Sequence, residues 1–189
     1  CIIKIILTRG DNSFGYKIPI DIKHNLYFIR NKKYIPIINK NIVRLGISTY
    51  NTYDNPNLAR IKHLNRIDQC LIAEDLNKRK NLNDLVVLNK NYIVETLSSN
   101  LFFIKKSKSE YIFHTPKIDN FGIKGIIRDK LISYLKNNKI RVDERYIPLS
   151  DLAKYNIAFK VNSIQGLIFI DEIENKKFSH DEIIYNKLK

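Results

Sequence analysis

The segment "DLVVLNKNYIVETLSSNLFFI", residues 84–104, limits the possible folds of this chain more than any other stretch. Two apolar, β-branched runs flank Asn89-Lys90-Asn91, a set of residues suited to a tight turn, so the segment predicts a hairpin. "NLFFI" and "EYIFHT" extend it into a meander. Runs this short, separated by turn residues, make strands rather than long helices. One residue breaks the pattern: Glu95 stands inside an apolar run, where a carboxylate has to be paired or put to chemical use.

Other strands are read from "CIIKIILTRG", expected to be buried on both faces, and from "HNLYFIR" and "NIVRLGISTYNTY". Late in the chain "NIAFKV" and "GLIFIDEI" flank the polar loop "NSIQ". From Asn65 the period lengthens. Ile67, Cys70, Leu71 and Ala73 to Leu76 predict an amphipathic helix running to about Arg79, with Asp68, Glu74, Lys78 and Arg79 outside its apolar stripe. "GIIRDKLISYLKNNK" predicts a second helix opening at Gly125, with Ile127, Leu131, Ile132 and Leu135 turned inward. "SHDEIIYNKL" predicts a last helix capped by Ser179. The result is a mixed α/β chain without an internal repeat, and a single domain is expected over residues 1–189.

Composition excludes several function classes. With 44% hydrophobic and 28% charged residues the chain can build a core and is not disordered. No apolar run reaches the roughly 18 residues of a membrane span. Cys1 and Cys70 cannot form a disulfide framework, and reduced thiols suit a cytoplasmic setting. The net charge of +14 comes mostly from lysines spread among Ile and Asn, residues that AT-rich codons encode. Arginine, which grips phosphates and reads bases, is sparse, so no dedicated nucleic-acid partner is expected. The chain starts at Cys1 and contains no methionine, and an incomplete N-terminal side is expected on that ground.

Four pieces can carry chemistry. Lys62 precedes the first predicted helix, flanked by Ile61 and Leu64; Glu95 interrupts a strand; Gly125 opens a helix; "VNSIQG" is a polar loop between strands. Alone, each has an ordinary reading: a snorkelling lysine, an acid at a strand end, a turn glycine, a hairpin connection. Together they form a chemical set. A lysine that can form a Schiff base needs a carbonyl cofactor, and pyridoxal phosphate needs an acid at its pyridine nitrogen and a cradle for its phosphate. The free N–H groups of a helix start supply such a cradle.

The stretches "IKHLNRIDQCLIAEDL", "DLVVLN", "YIVETLSSNLFFI", "FHTP" and "GIKGIIRDKLI" resemble the class-IV aminotransferase family, the fold-type-IV pyridoxal enzymes. "KHLNR" is similar to the aminodeoxychorismate lyase branch rather than its aminotransferase cousins. The resemblance runs from Cys1 through at least the loop around Ser163. It implies a large domain with a curved, mostly antiparallel, barrel-like sheet and outer helices. It implies that Lys62 carries pyridoxal 5'-phosphate covalently and later acts as general base, its apolar neighbours favouring the uncharged amine. Glu95 would pair with the pyridine nitrogen. Gly125 and the amides of Ile126 and Ile127 would hold the phosphate, Ser163 would complete that cradle, and Arg9 would face a substrate carboxylate. The implied reaction converts 4-amino-4-deoxychorismate to 4-aminobenzoate and pyruvate, on the way to folate, in a homodimer.

Three departures accompany the resemblance. Leu97 replaces a usually small residue and is expected to crowd the cofactor; Phe14 stands where the lyase branch often has a second arginine; and a small N-terminal domain is expected to be absent. A class-IV aminotransferase acting on branched-chain or D-amino acids, and a non-catalytic remnant of the fold, are the alternatives.

Overall fold

Strands form at each stretch where the sequence predicts one, in a computed structural model that describes residues 1–11, 15–32, 42–107 and 110–188. Phe14 lies outside the described residues. The chain divides into two compact units, Cys1–Pro36 and Ile37–Lys189.

In the first unit β1 (Ile2–Thr8) pairs antiparallel with β2 (Asn25–Asn31), in register from Ile2 opposite Asn31 to Thr8 opposite Asn25. The expectation that the first strand is buried on both faces is not met: Ile3, Ile5 and Leu7 are all more than half exposed. The reason is geometric. A two-stranded ladder satisfies backbone groups along one edge of each strand but covers neither face.

The second unit holds β3 (Val43–Asn51), α1 (Ile67–Asn77), β4 (Asp84–Asn89), β5 (Tyr92–Thr96), β6 (Asn100–Ser107), β7 (Glu110–Pro116) and α2 (Ile126–Asn137). It continues with β8 (Val142–Arg145), β9 (Ile147–Pro148), a 3-10 turn (Leu149–Lys154), β10 (Ile157–Asn162), β11 (Gly166–Ile173), β12 (Lys176–Lys177) and α3 (Glu182–Leu188). The sheet order is β8-β7-β6-β10-β11-β3-β4-β5-β9, with β12 on β11. Pairing is parallel at β11/β3, β3/β4 and β7/β8 and antiparallel elsewhere. Two of the parallel pairs are consecutive strands joined through a helix, α1 and α2, because a tight turn cannot join parallel neighbours. The β4–β5 hairpin closes over Lys90-Asn91, with Asn89 opposite Tyr92 and Lys90 at a φ of 54°.

Ile93 of β5 and Leu101 and Phe103 of β6 share one buried cluster with Val86, Leu45, Ile170 and Ala158. In the strand order four strands lie between β6 and β5, so the sheet must curl to bring them around one core. Alternate residues face outward and are also covered. Phe102, Ile104 and Phe159 lie under Leu131, Ile132 and Leu135 of α2 and Ile184 of α3, and Leu85 and Val87 lie under Ile72 of α1. Burial on both faces explains why these strands read as continuous apolar runs. Arg128 joins the α2 face at 1% exposure and donates to the Pro116 carbonyl (2.8 Å) and to Glu144 (2.9 Å).

Two local expectations are corrected. On α1 it is Ile72 and Asp75 that are buried, whereas Ile67, Cys70 and Leu71 point outward. A polar anchor sets that rotation: Asp75 accepts from the amide and hydroxyl of Thr49 on β3 and is paired with Arg79 at 3.0 Å. On α3 the cap is Asp181, whose carboxylate accepts the amides of Ile183 and Ile184. Ser179 lies too far upstream to reach those amides, and its own amide bonds the Asn156 carbonyl. Among the described residues no helix is long and apolar enough to cross a membrane.

Lys160 of β10 meets Asp84 of β4 at 2.6 Å, with both side chains at most 5% exposed. Lys160→Met strands a buried carboxylate and should cost about 3–5 kcal/mol in urea unfolding. Replacing Asp84 as well with an apolar residue of similar size should restore most of that loss.

Candidate active site

The short strip Gly122–Gly125 is the hub of the site. Residue 60 joins it as an isolated parallel bridge opposite Ile123; the Arg60 amide bonds the Gly122 carbonyl (2.8 Å) and the Lys124 amide bonds the Arg60 carbonyl (3.2 Å). Arg60 adopts a φ of 70°, a left-handed turn that starts the irregular segment carrying Lys62. On the other side of the strip, the Ile123 amide donates to Glu95 Oε2 at 2.9 Å. Gly122, at a φ of 78°, backs the same carboxylate; a Cβ there would lie 3.1 Å from Val94 and 3.5 Å from Glu95.

The strip then leads into α2. Asn100 Nδ2 donates to the Ile123 carbonyl (2.8 Å), and its Oδ1 occupies the place of a Cβ on residue 125, so a side chain there would have to displace Asn100. Gly125 is extended (φ −71°, ψ 139°), and the first helical bond runs from the Asp129 amide to its carbonyl. The N–H groups of Ile126, Ile127 and Arg128 therefore have no carbonyl to reach within the helix, at the positive end of its dipole. The loop bearing Ser163 is tied to the same place. Asn162 donates to Ser99 Oγ (2.9 Å), next to Asn100, and accepts the amides of Ile164 and Gln165. Ser163 is exposed on that turn.

Glu95 is buried opposite Val87 in the β4–β5 ladder. Burial pushes its carboxyl up to about 7. The Ile123 amide and the charges of Arg66 and Lys62 oppose the rise, and Asp84 adds to it. Arg66 lines the same cavity as Glu95, whereas Lys62 acts on the carboxyl through its charge. A cavity of about 130 Å³ adjoins Glu95, lined also by His63, Arg66, Asp68 and Asn120. The buried Nδ1 of His63 finds no hydrogen-bond partner there.

The expected apolar surroundings of Lys62 do not form. Lys62 is exposed, as are Ile61 (57%) and Leu64 (60%). Arg66 accounts for this: its guanidinium bonds the carbonyls of Ile61 and His63, drawing the backbone inward and sending these side chains out. Leu97 packs against the Ile72, Leu85 and Val87 cluster under α1, where its bulk is accommodated. Arg9 belongs to the first unit, where it is exposed and its carbonyl bonds His24 Nδ1 at 3.1 Å.

The strip thus joins the Glu95 carboxyl, Gly125, the start of α2 with the amides of Ile126 and Ile127, and Arg60, two residues before Lys62, and the loop of Ser163 is linked to it through Asn162 and Ser99. Arg66, Asn100 and Gly122 were not marked by sequence reasoning. The partners of Asn100 and Gly122 are distant in the chain, whereas Arg66 bonds carbonyls three and five residues before it. The donor set suits pyridoxal 5'-phosphate: a buried carboxyl bonded by one amide and, among the described residues, by no cation, beside a helix start led by a glycine.

The sequence matches the family described as amino-transferase class IV over residues 1–173. It is 31% identical over 182 residues to the aminodeoxychorismate lyase of Vibrio harveyi, covering 92% of this chain and 65% of that protein. The crystal structure of 4-amino-4-deoxychorismate lyase from Pseudomonas aeruginosa superposes with a TM-score of 0.87 at 22% identity, covering 97% of this chain and 67% of that one. An aminotransferase from Brucella abortus bound to the cofactor PLP gives a TM-score of 0.74 at 17% identity, over 97% of this chain and 64% of that one. The chain thus spans just under two thirds of the length of the Vibrio relative. At 22% and 17% identity the two structures establish the fold: a curved mixed sheet with outer helices.

The raised Glu95 value gives a pH signature. Its ordinary value is 4.5, so the folded protein holds a proton between about 4.5 and 7 that the unfolded chain releases. The associated stability is complete below about pH 4.5 and is lost as pH rises through about 7, on the order of 3 kcal/mol. Glu95→Gln should remove this dependence, so the difference in unfolding free energy between the two proteins should swing against wild type from pH 4.5 to 8.

Proposed function

Because the chain belongs to the class-IV aminotransferase family of pyridoxal-phosphate-dependent enzymes, we propose that it acts as an aminodeoxychorismate lyase, converting 4-amino-4-deoxychorismate to 4-aminobenzoate and pyruvate. One observation carries the reading. A single strip, Gly122–Gly125, joins the Lys62 segment, the buried Glu95 carboxyl and the open amides of α2. The lyase assignment draws on the Vibrio relative and on "KHLNR". A small-molecule substrate, a homodimer and a cytoplasmic setting belong to the same reading.

When bound, pyridoxal phosphate supplies the electron sink that lets a substrate carbon give up a proton. The protein's residues hold and orient. The amides of Ile126 and Ile127 would bind the phosphate, with Ser163 completing the cradle and Gly125 leaving room for close approach. Glu95 would hold the protonated ring nitrogen; the approach of that cation favours its ionised form and relieves the cost of burial. The Lys62 amine would anchor the aldehyde carbon between turnovers and, once released by the substrate amine, take the substrate proton. Loss of the enolpyruvyl group makes the product ring aromatic, which supplies much of the driving force, so the chain chiefly positions groups and stabilises developing charge.

Purified protein with added pyridoxal phosphate should release 4-aminobenzoate and pyruvate from 4-amino-4-deoxychorismate with no keto acid present. Transfer of an amino group to 2-oxoglutarate, without lyase turnover, would instead make it an aminotransferase. Lys62→Ala should lower turnover at least a hundredfold or so, the scale of a lost general base. Undiminished activity in that variant would overturn the assignment.

A further inference from the structure

Arg66 stands at the start of α1, with the backbone of an N-cap but no side-chain capping bond. Its guanidinium reaches backward instead. Nε donates to the His63 carbonyl at 3.2 Å and Nη2 to the Ile61 carbonyl at 3.1 Å. Those two carbonyls lie one residue before and one residue after Lys62. The guanidinium fork can span both acceptors at once from a fixed plane, which the point charge of a lysine cannot. The same side chain lines the cavity that adjoins Glu95. Arg66 thus touches the backbone on each side of Lys62 and lines the cavity beside Glu95.

We propose that Arg66 is a positioning residue for Lys62: it clamps the two flanking carbonyls, setting where the amine emerges, and supplies positive charge beside Glu95. The proposal rests on Lys62 being the amine that holds the cofactor. The segment from 61 to 65 is irregular, so nothing in its own backbone ladder fixes Lys62 once the bridge at Arg60 has ended. The charged groups acting on Glu95 are Arg66, Lys62 and Asp84, and the titratable side chains of His63 and Asp68 share its cavity. Arg66 also holds down protonation of His63, after the larger effect of burial. One cation therefore acts on both neighbours of the cavity.

The test compares Arg66→Lys and Arg66→Gln with wild type in the whole chain, using pyridoxal 5'-phosphate as the probe. Three quantities are read: the affinity for the covalent adduct from its visible absorbance, the pH midpoint of that band, and the melting temperature. Borohydride reduction and peptide mass spectrometry locate the adduct. Arg66→Lys keeps the charge but loses the fork, and should bind about tenfold more weakly at an unchanged pH midpoint. Arg66→Gln should show the same loss and a midpoint moved to higher pH, because removing a cation eases protonation of its neighbours. Both variants binding as tightly as wild type, or Arg66→Lys matching wild type while Arg66→Gln loses affinity only in step with its melting temperature, would overturn the clamp. If Arg66→Gln does not fold, Arg66→Lys decides the question. Wild-type protein that forms no adduct at Lys62 would refute the lyase reading itself, a result distinct from variants that merely equal wild type.

Discussion

The amide of Ile123 and the carboxyl of Glu95 form the contact on which the site depends. Each partner is ordinary alone. A strand glutamate in an apolar run needs a donor, and a backbone amide in a connecting strip needs an acceptor. Their bond fixes the strip against β5, and the strip in turn holds Arg60 on one side and leads through Gly125 into α2 on the other. A carboxylate held in this way is costly to ionise, because one amide replaces only part of its hydration. The site therefore stores a demand for positive charge, which a protonated ring nitrogen would meet.

The curled sheet makes that strip possible. Because β5 and β6 are brought around a common core, Glu95 near the end of one strand and Asn100 at the start of the next face the same connecting segment. Asn100 then does two things at once: it bonds the Ile123 carbonyl and occupies the space that a side chain at residue 125 would need. A glycine at a helix start is common enough, but here it also lets the Asn100 amide keep its bond to the strip. Buried polar pairs elsewhere serve the architecture. Lys160–Asp84 crosses the sheet interior, and Asp75 with Thr49 and Arg79 pins α1 to β3.

The rotation of α1 shows how such pairs override apolar pattern. Its sequence offers Ile67, Cys70 and Leu71 as a core stripe, yet these face outward, because a buried Asp75 bonded by an amide, a hydroxyl and a guanidinium settles which side of the helix meets β3. The same competition operates around Lys62. Ile61 and Leu64 read as a desolvating collar, but Arg66 takes hold of the backbone carbonyls and turns those side chains to solvent. In both places a few directional bonds outweigh a non-directional preference for burial, which can be satisfied by other residues.

What the amino-acid order determined by itself is local: the strands around 84–104, the β4–β5 turn and the helix opening at Gly125. These follow from period, turn chemistry and residue type within a few positions, and they survive unchanged in the structure. The tertiary structure alone decided the rest. It exposed β1, rotated α1, and brought Arg60, Glu95, Asn100 and Gly125 to one strip. The reason is that hydrogen bonds between residues 23 to 63 positions apart, such as Asn100 to Ile123 and Ser99 to Asn162, leave no periodic trace in the chain and come into being only when the sheet curls.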